Sequence, residues 1–475
     1  MKNLYLAGIF LLLTSTATAQ NVQWASKVIK CSSDLGGKQN GIKRILGKPD
    51  AFPQGGSSAN AWTPKDALDG LETVVVGFEK PQTVKQVAVF ENLNSGCVSR
   101  IMADTGSGKF ETVWVRQRDW KTPPYVSTIN ADRAYYYNRK RRKVQKAPDV
   151  AANAGVEYAI LDNAVYNAVA IKIEFNFAII PGQKQIDAIG ISDSAEPIKA
   201  LINSLAELEQ LAEAQHIDVG DLQPSNPCVS DDGSKLYFTS TTSDKETVYS
   251  CNIINGVVSA PIPEDESLNG NPNYNYIESI NGNIVLKGGV PYSRGTGECG
   301  YEIGILNNGK YESQSLLKIT AFHNYDDTSE AVITSDGKII IIGIESDLSQ
   351  GGADLYVATR KEDGTFMFLQ NMGKVLNSAA DESMPCLLSD QKTLIFSSNG
   401  FSGHGDYDFY VSHRLDDSWK NWSEPINLGS SINSGSFDGL PSYDERNETL
   451  YFTRSENGNN VLLFSKLAKS LLTQN

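Results

Sequence analysis

The 475 residues carry 56 acidic and 42 basic side chains, for a net charge of −14, and 40% of them are apolar, which is chain enough for two or three domains with separate cores. From His216 onward there are 35 Asp and Glu against 17 Lys and Arg. That half repels phosphate, which excludes nucleic acid as its partner.

In chain order, Lys2 precedes an apolar run at 4–13, and small residues follow to Ala17-Thr18-Ala19. This pattern predicts a secretory signal peptide over 1–19. The run is shorter than the ~20 residues that cross a bilayer. No Cys follows the expected cleavage point and no later stretch is long and apolar, so a mature chain without a membrane span is expected, in a periplasm or at the cell surface. Export permits disulfides. Cys31 and Cys97 fall in one domain and form the candidate bridge, while Cys228, Cys251, Cys299 and Cys386 read as core residues.

Over 20–196, β-branched residues alternate in the runs 73–78, 84–90, 110–115 and 168–175, separated by Gly, Pro and Asn turns, and predict an antiparallel β-sandwich. Trp62, Trp114 and Trp120 are either core residues or sugar platforms. The basic cluster Arg139, Lys140, Arg141, Arg142 and Lys143 is the candidate contact for an acidic partner; its bland alternative is a solvated loop. Over 197–215, Ile198, Leu201, Ile202, Leu205, Leu208 and Leu211 recur at three- and four-residue intervals, which predicts an amphipathic connecting helix.

Residues 216–475 contain an internal repeat. Its clearest copies start at Pro227, Pro385 and Pro441, each an apolar strand, a polar turn and a strand ending in Leu-Tyr-Phe or Leu-Ile-Phe; weaker copies start at Pro272 and Ala331. The spacings of 45, 59, 54 and 56 residues suit a four-stranded propeller blade. The last copy is short of an outer strand, and residues 217–222 resemble that strand elsewhere. Closure of a five-bladed ring by this segment is therefore expected, with six blades as the alternative count.

Chemistry is sparse. The four histidines are scattered, and no His-Glu-x-x-His, Gly-x-Ser-x-Gly or Walker-type motif occurs. Asp354, Asp406 and Asp408 precede the third strands of adjacent copies. They are the candidate metal ligands, for Ca²⁺, against the alternative that each caps its own loop.

Two resemblances add to this reading. Segments 61–65, 87–92 and 180–191 resemble the galactose-binding-like, or discoidin-like, jelly roll found beside propellers in exported proteins of the Bacteroidota. The pattern Pro227-Cys228-Val229-Ser230-Asp231-Asp232-Gly233, with Leu236-Tyr237-Phe238 and the third strand Asp354-Leu355-Tyr356-Val357, resembles the WD-repeat-like propeller of the TolB type. In the resembling proteins an OmpA-like domain often follows; here the sequence runs out within the last copy. The resemblances imply a jelly-roll sandwich and a C-terminal propeller, which with the linking helix read from periodicity make a mainly β protein. The function expected is a non-catalytic binding or scaffold protein of the cell envelope, without a cofactor, that contacts envelope or secretion-machinery proteins. Carbohydrate binding through the sandwich is the first alternative, and a propeller lyase or glycosidase acting on acidic polysaccharide the second.

Overall fold

The computed structural model describes residues 20–117, 154–242, 245–290, 292–293, 297–307 and 309–473. The signal segment, Trp120 and the cluster Arg139 to Lys143 lie outside these residues. The described chain is mainly β, and none of its helices is long and apolar enough to cross a membrane.

The N-terminal strands are β1 (Val22–Trp24), β2 (Lys27–Cys31), β3 (Leu71–Glu91), β4 (Val98–Asp104), β5 (Glu111–Val115), β6 (Gly155–Asn176) and β7 (Ala188–Ser192). They form one sheet in the order β1-β7-β3-β6-β4-β5, with β2 also on β3. Strands β3 and β6 serve both halves of it. Residues 71–77 of β3 pair with 170–176 of β6 and with β2, whereas 84–91 pair with the start of β6 and with β7. Register shifts between Gly77 and Gln86 separate the two stretches, as bulges that turn a sheet do. Alternation then points Val74, Val76, Val87, Val89, Ile171, Ile173, Ile189 and Ile191 into one core with Trp62 and Phe175. Cys31 and Cys97, weighed as a bridge, are free thiols in the structure. Burial pushes the Cys97 thiol up to about 12.

The expected connecting helix over 197–215 is absent: the segment is an extended strap with one short 3₁₀ turn, Leu208–Gln210. Its apolar residues divide between two cores. Ile198 is buried beside Phe90, whereas Leu205, Leu208 and Leu211 pack in the propeller. The backbone also finds outside partners, with Asn427 N donating to Asn203 O at 2.7 Å and Ala214 N to Ser431 O at 3.1 Å. A short helix in water is marginal, so two separated apolar anchors and ready hydrogen-bond partners outweigh local propensity. A second join is Asn60, whose Nδ2 donates to Gly400 O at 2.6 Å while its Oδ1 accepts from Ala379 N at 2.9 Å.

The remaining strands form five sheets of four or five strands each, one per blade. Their inner strands are Pro224–Val229, Ile277–Asn281, Glu330–Ile333, Glu382–Leu387 and Asp438–Asp444, neighbours in that order around a ring. The count of five therefore stands. Closure comes from the segment before the first blade, two residues earlier than expected: Gln215–His216 pairs with the last outer strand, His216 opposite Leu463, and Ile217 N donates to Leu462 O at 2.8 Å. Ile217 and Val219 then bury themselves against Leu462 and Tyr451.

The second copy needs re-registering. Its hairpin turn, Asn281 to Ile284, is two residues shorter than the turn from Ser230 to Lys235 in the first blade. Counting back from paired positions, the residue that matches Pro227, Ala331, Pro385 and Pro441 is Glu278, not Pro272.

Candidate functional site at the propeller mouth

The inner strands all begin at one end of the channel and finish in hairpin turns at the other. Four of them carry a bulge near their start, and in three of these the bulged residue has left-handed backbone. Asn226, Met384 and Leu440 have φ of 48°, 56° and 58°, beside breaks in ladder register, and each precedes a repeat proline. Proline has no N–H for the ladder, so the bulge falls where pairing is already interrupted. Such left-handed backbone is costly for residues with a Cβ, and here it turns three side chains into a common cavity.

That cavity measures about 900 Å³. Glu278 and Glu330 reach it from adjacent inner strands, Glu246 from the first blade, and the exposed Asp326 and Asp327 from the loop before the third blade. Among the described residues that line it there is no Lys, Arg or His. Tyr274, Tyr276 and Tyr301 supply rings; Gly288 makes room for one of them, since a Cβ there would stand 1.9 Å from Tyr276 Cζ.

The position of Glu278 has a local cause. Ala331 stands where three blades have proline, so it keeps an N–H, which Glu278 Oε1 accepts at 2.8 Å. Its Oε2 has a long contact to Asn226 Nδ2 at 3.4 Å. Burial, then the neighbouring charge of Glu330, holds the Glu278 carboxyl well above the usual range despite the Ala331 bond. Burial and then Asp326 push Glu330 up to about 7, and burial raises Glu246. Two wall oxygens, Glu246 Oε2 and Thr239 Oγ1, have no hydrogen-bond partner among the described residues, although Thr239 is only 3% exposed. Wall tyrosines are held neutral: Tyr276 and Tyr301 are both shifted upward, chiefly by burial and next by Glu278.

The residues singled out in the sequence lie elsewhere. Asp354 Oδ2 accepts from Gln350 N at 2.7 Å, and Asp408 accepts from Gly405 N at 3.0 Å and Asn427 Nδ2 at 3.0 Å, so both cap loops. Asp406 is exposed. These three carboxylates do not gather: the described residues hold no group of three His, Cys, Asp or Glu placed to bind a metal ion. The histidines are apart as well, with His216 against Glu456 and His413 bonded to Leu472 O at 2.6 Å. Trp62 is fully buried against Phe175, and Trp114 packs on the same core. Reasoning from sequence missed Glu246, Glu278 and Glu330. Aligning the second copy on its Asn281-Gly282 turn would have placed Glu278 among the repeat prolines, an acid where the other blades put an apolar residue.

No family model matches this chain, and neither does any curated protein. Among solved structures, TolB from Acinetobacter baumannii is 15% identical at a TM-score of 0.31, covering 51% of this chain, and the chain spans only 54% of the length of that TolB. An endo-arabinase from Bacteroides thetaiotaomicron is 12% identical at a TM-score of 0.34, covering 55% of this chain and 98% of its own. A family 32 carbohydrate-binding module from Streptococcus pneumoniae EndoD is 12% identical at a TM-score of 0.23, covering 36% of this chain and 99% of its own. The five-bladed ring rests on the strand order of this chain.

Proposed function

We propose that this chain is an exported, non-catalytic binding protein of the cell envelope, and that the propeller mouth is where it meets a protein partner. One observation carries the reading: Glu246, Glu278 and Glu330 are all shifted in the same direction, upward. A glycosidase needs its two carboxyls driven apart, one held protonated as acid and the other ionised as nucleophile or base. A wall whose three glutamates are all biased toward the proton offers hydrogen bonds and latent charge instead. The folded N-terminal sheet, read as the galactose-binding-like jelly roll, gives a second contact surface. Because Trp62 and Trp114 are spent on its core, a sugar platform built on them is not favoured.

A photocrosslinking residue placed at Tyr274, 58% exposed on the mouth wall, tests this in cells against one at Phe368, 61% exposed on another part of the ring. A discrete protein adduct from the Tyr274 site and none from the Phe368 site is expected. No adduct from Tyr274, or hydrolysis of aryl glycosides by the purified chain that Glu278→Gln abolishes, overturns the proposal.

A further inference from the structure

Building on the mouth as a protein-binding site, we infer that the group it receives is the cationic end of a lysine or arginine side chain on the partner. The cavity has five carboxyl-bearing residues on its wall and no cationic side chain among its described lining residues. Four acids elsewhere in the propeller are given cationic partners. Glu302 has Lys287, Glu264 has Lys235, Asp438 has Arg454 and Glu445 has Lys469. Among the described residues of the mouth there is no such pair, and a buried acid without a counterion is costly unless it is protonated or a cation arrives.

An independent feature points to the same guest. Thr239 Oγ1 is buried at the wall without a partner among the described residues, and Glu246 Oε2 is in the same condition. Both atoms can accept, and a donor-rich group supplied from outside can satisfy them. An ammonium brings three donors and a guanidinium five, and neither has an acceptor to be left unmet. The acceptors are spread over the wall of a cavity of about 900 Å³, which suits a forked or rotating donor on a long stem. Tyrosine rings on that wall add attraction for a cation and cover an aliphatic stem.

Occupation has a thermodynamic signature. The groups facing Glu278 are Glu330, Tyr276, Tyr301 and Cys228, with Glu246 also against Tyr276, Asp326 beside Glu330 and Tyr407 on its far side. A bound cation favours the ionised carboxyls, so binding releases protons while Glu278 and Glu330 still hold them, and affinity rises with pH through about 7.

The test is calorimetric titration of the full chain with the capped peptide Ala-Lys-Ala and its acetyl-lysine counterpart, at pH 6, 7 and 8, in buffers of different ionisation heat. We expect the lysine peptide to bind with proton release, and the acetylated peptide to bind on the order of 10- to 100-fold more weakly, as for one or two charge-assisted hydrogen bonds. Glu246→Gln, which touches no structural hydrogen bond of the wall, should weaken the lysine peptide several-fold without lowering the melting temperature. Glu278→Gln combined with Glu330→Gln should abolish the proton release. Equal binding of the two peptides, or binding without proton release, overturns the cation and leaves the mouth a site for neutral chain. No binding of either peptide while the Tyr274 adduct persists also overturns it, whereas loss of that adduct sinks the mouth reading itself.

Discussion

The two ends of the propeller channel are built from the same five hairpins, yet they treat their acids in opposite ways. At the turn end the space narrows to about 250 Å³. There several acids hold the backbone of the hairpin turns. Asp232 accepts from Ser230 Oγ at 2.6 Å and Ser234 N at 3.0 Å, and those bonds hold it down to about 2. For Asp336 and Asp390 burial pulls upward, but the hydroxyl and N–H groups of their own turns win and the net shift is downward. Glu445 is likewise lowered, against burial, by Lys469 and Ser389. At the mouth Glu246, Glu278 and Glu330 have few partners or none, and their shifts run upward. Local chemistry and fold agree at the turn end and disagree at the mouth, and such disagreement is what a functional site looks like.

Breaking the ring is the bluntest attack on this comparison, because both ends depend on one closed circle of inner strands. Removing residues 215–217 takes away the strand on Leu463 and Phe464 and uncovers apolar surface around Leu462 and Tyr451. The expected loss is on the order of 4–6 kcal/mol for two or three large apolar contacts and the ladder bonds. Scanning calorimetry should show the propeller transition falling by more than about 10 °C or losing cooperativity. A transition like that of the intact chain would mean that a different contact closes the ring.

A sharper test reverses the sign of the effect. Glu330 is held at about 7, above its ordinary carboxylate value, so the unfolded chain gives up this proton more readily than the folded one. Native stability therefore falls as pH rises from the ordinary range to about 7, and the deficit is constant above that. Glu330→Gln removes the titration. It should be close to neutral at pH 4 and stabilising by up to about 3 kcal/mol at pH 8. Urea midpoints at the two pH values measure it, and a variant destabilised at pH 8 would show that the ionised carboxyl is a structural partner.

How much of this was open to reading depended on what kind of order each feature rests on. Repeats announce themselves because every blade needs the same turn chemistry and the same aromatic strand end, and so the ring, its blade number and its closure by the first segment follow from letters such as Asp231-Asp232-Gly233 and Leu236-Tyr237-Phe238. The strap over 197–215 misled because a spacing of Ile198, Leu205, Leu208 and Leu211 that suits one helix face also results when an extended chain drops apolar anchors into two cores, with Leu201 left exposed. The mouth was hidden for a third reason. Its residues are brought together by bulges at Asn226, Met384 and Leu440 and by a hairpin two residues short, and neither is visible until strands are paired. The acids that did stand out, Asp354 and Asp408, stood out because loop capping recurs from blade to blade.

The smallest effect is expected at the turn end, where the comparison makes its opposite prediction. Asp390 accepts from Lys392 N and Thr393 N, each at 2.8 Å, and from Thr393 Oγ1 at 2.7 Å. Asp390→Ala strips three donors of their acceptor, but the turn is open and water replaces part of what is lost, so the cost should be about 0.5–1.5 kcal/mol at pH 7. Its folded value lies below the ordinary one, so the carboxylate contributes stability above the ordinary range and loses it as pH falls through the lowered value. The gap between the intact chain and the variant should thus close on going from pH 7 to pH 3. For Glu330→Gln the gap opens in the other pH direction and with the other sign. If urea midpoints of the two variants moved in parallel with pH, the division of the propeller into a capped end and an uncapped mouth would be wrong, since burial with few partners raises the acids at the mouth while turn donors outweigh it at the other end.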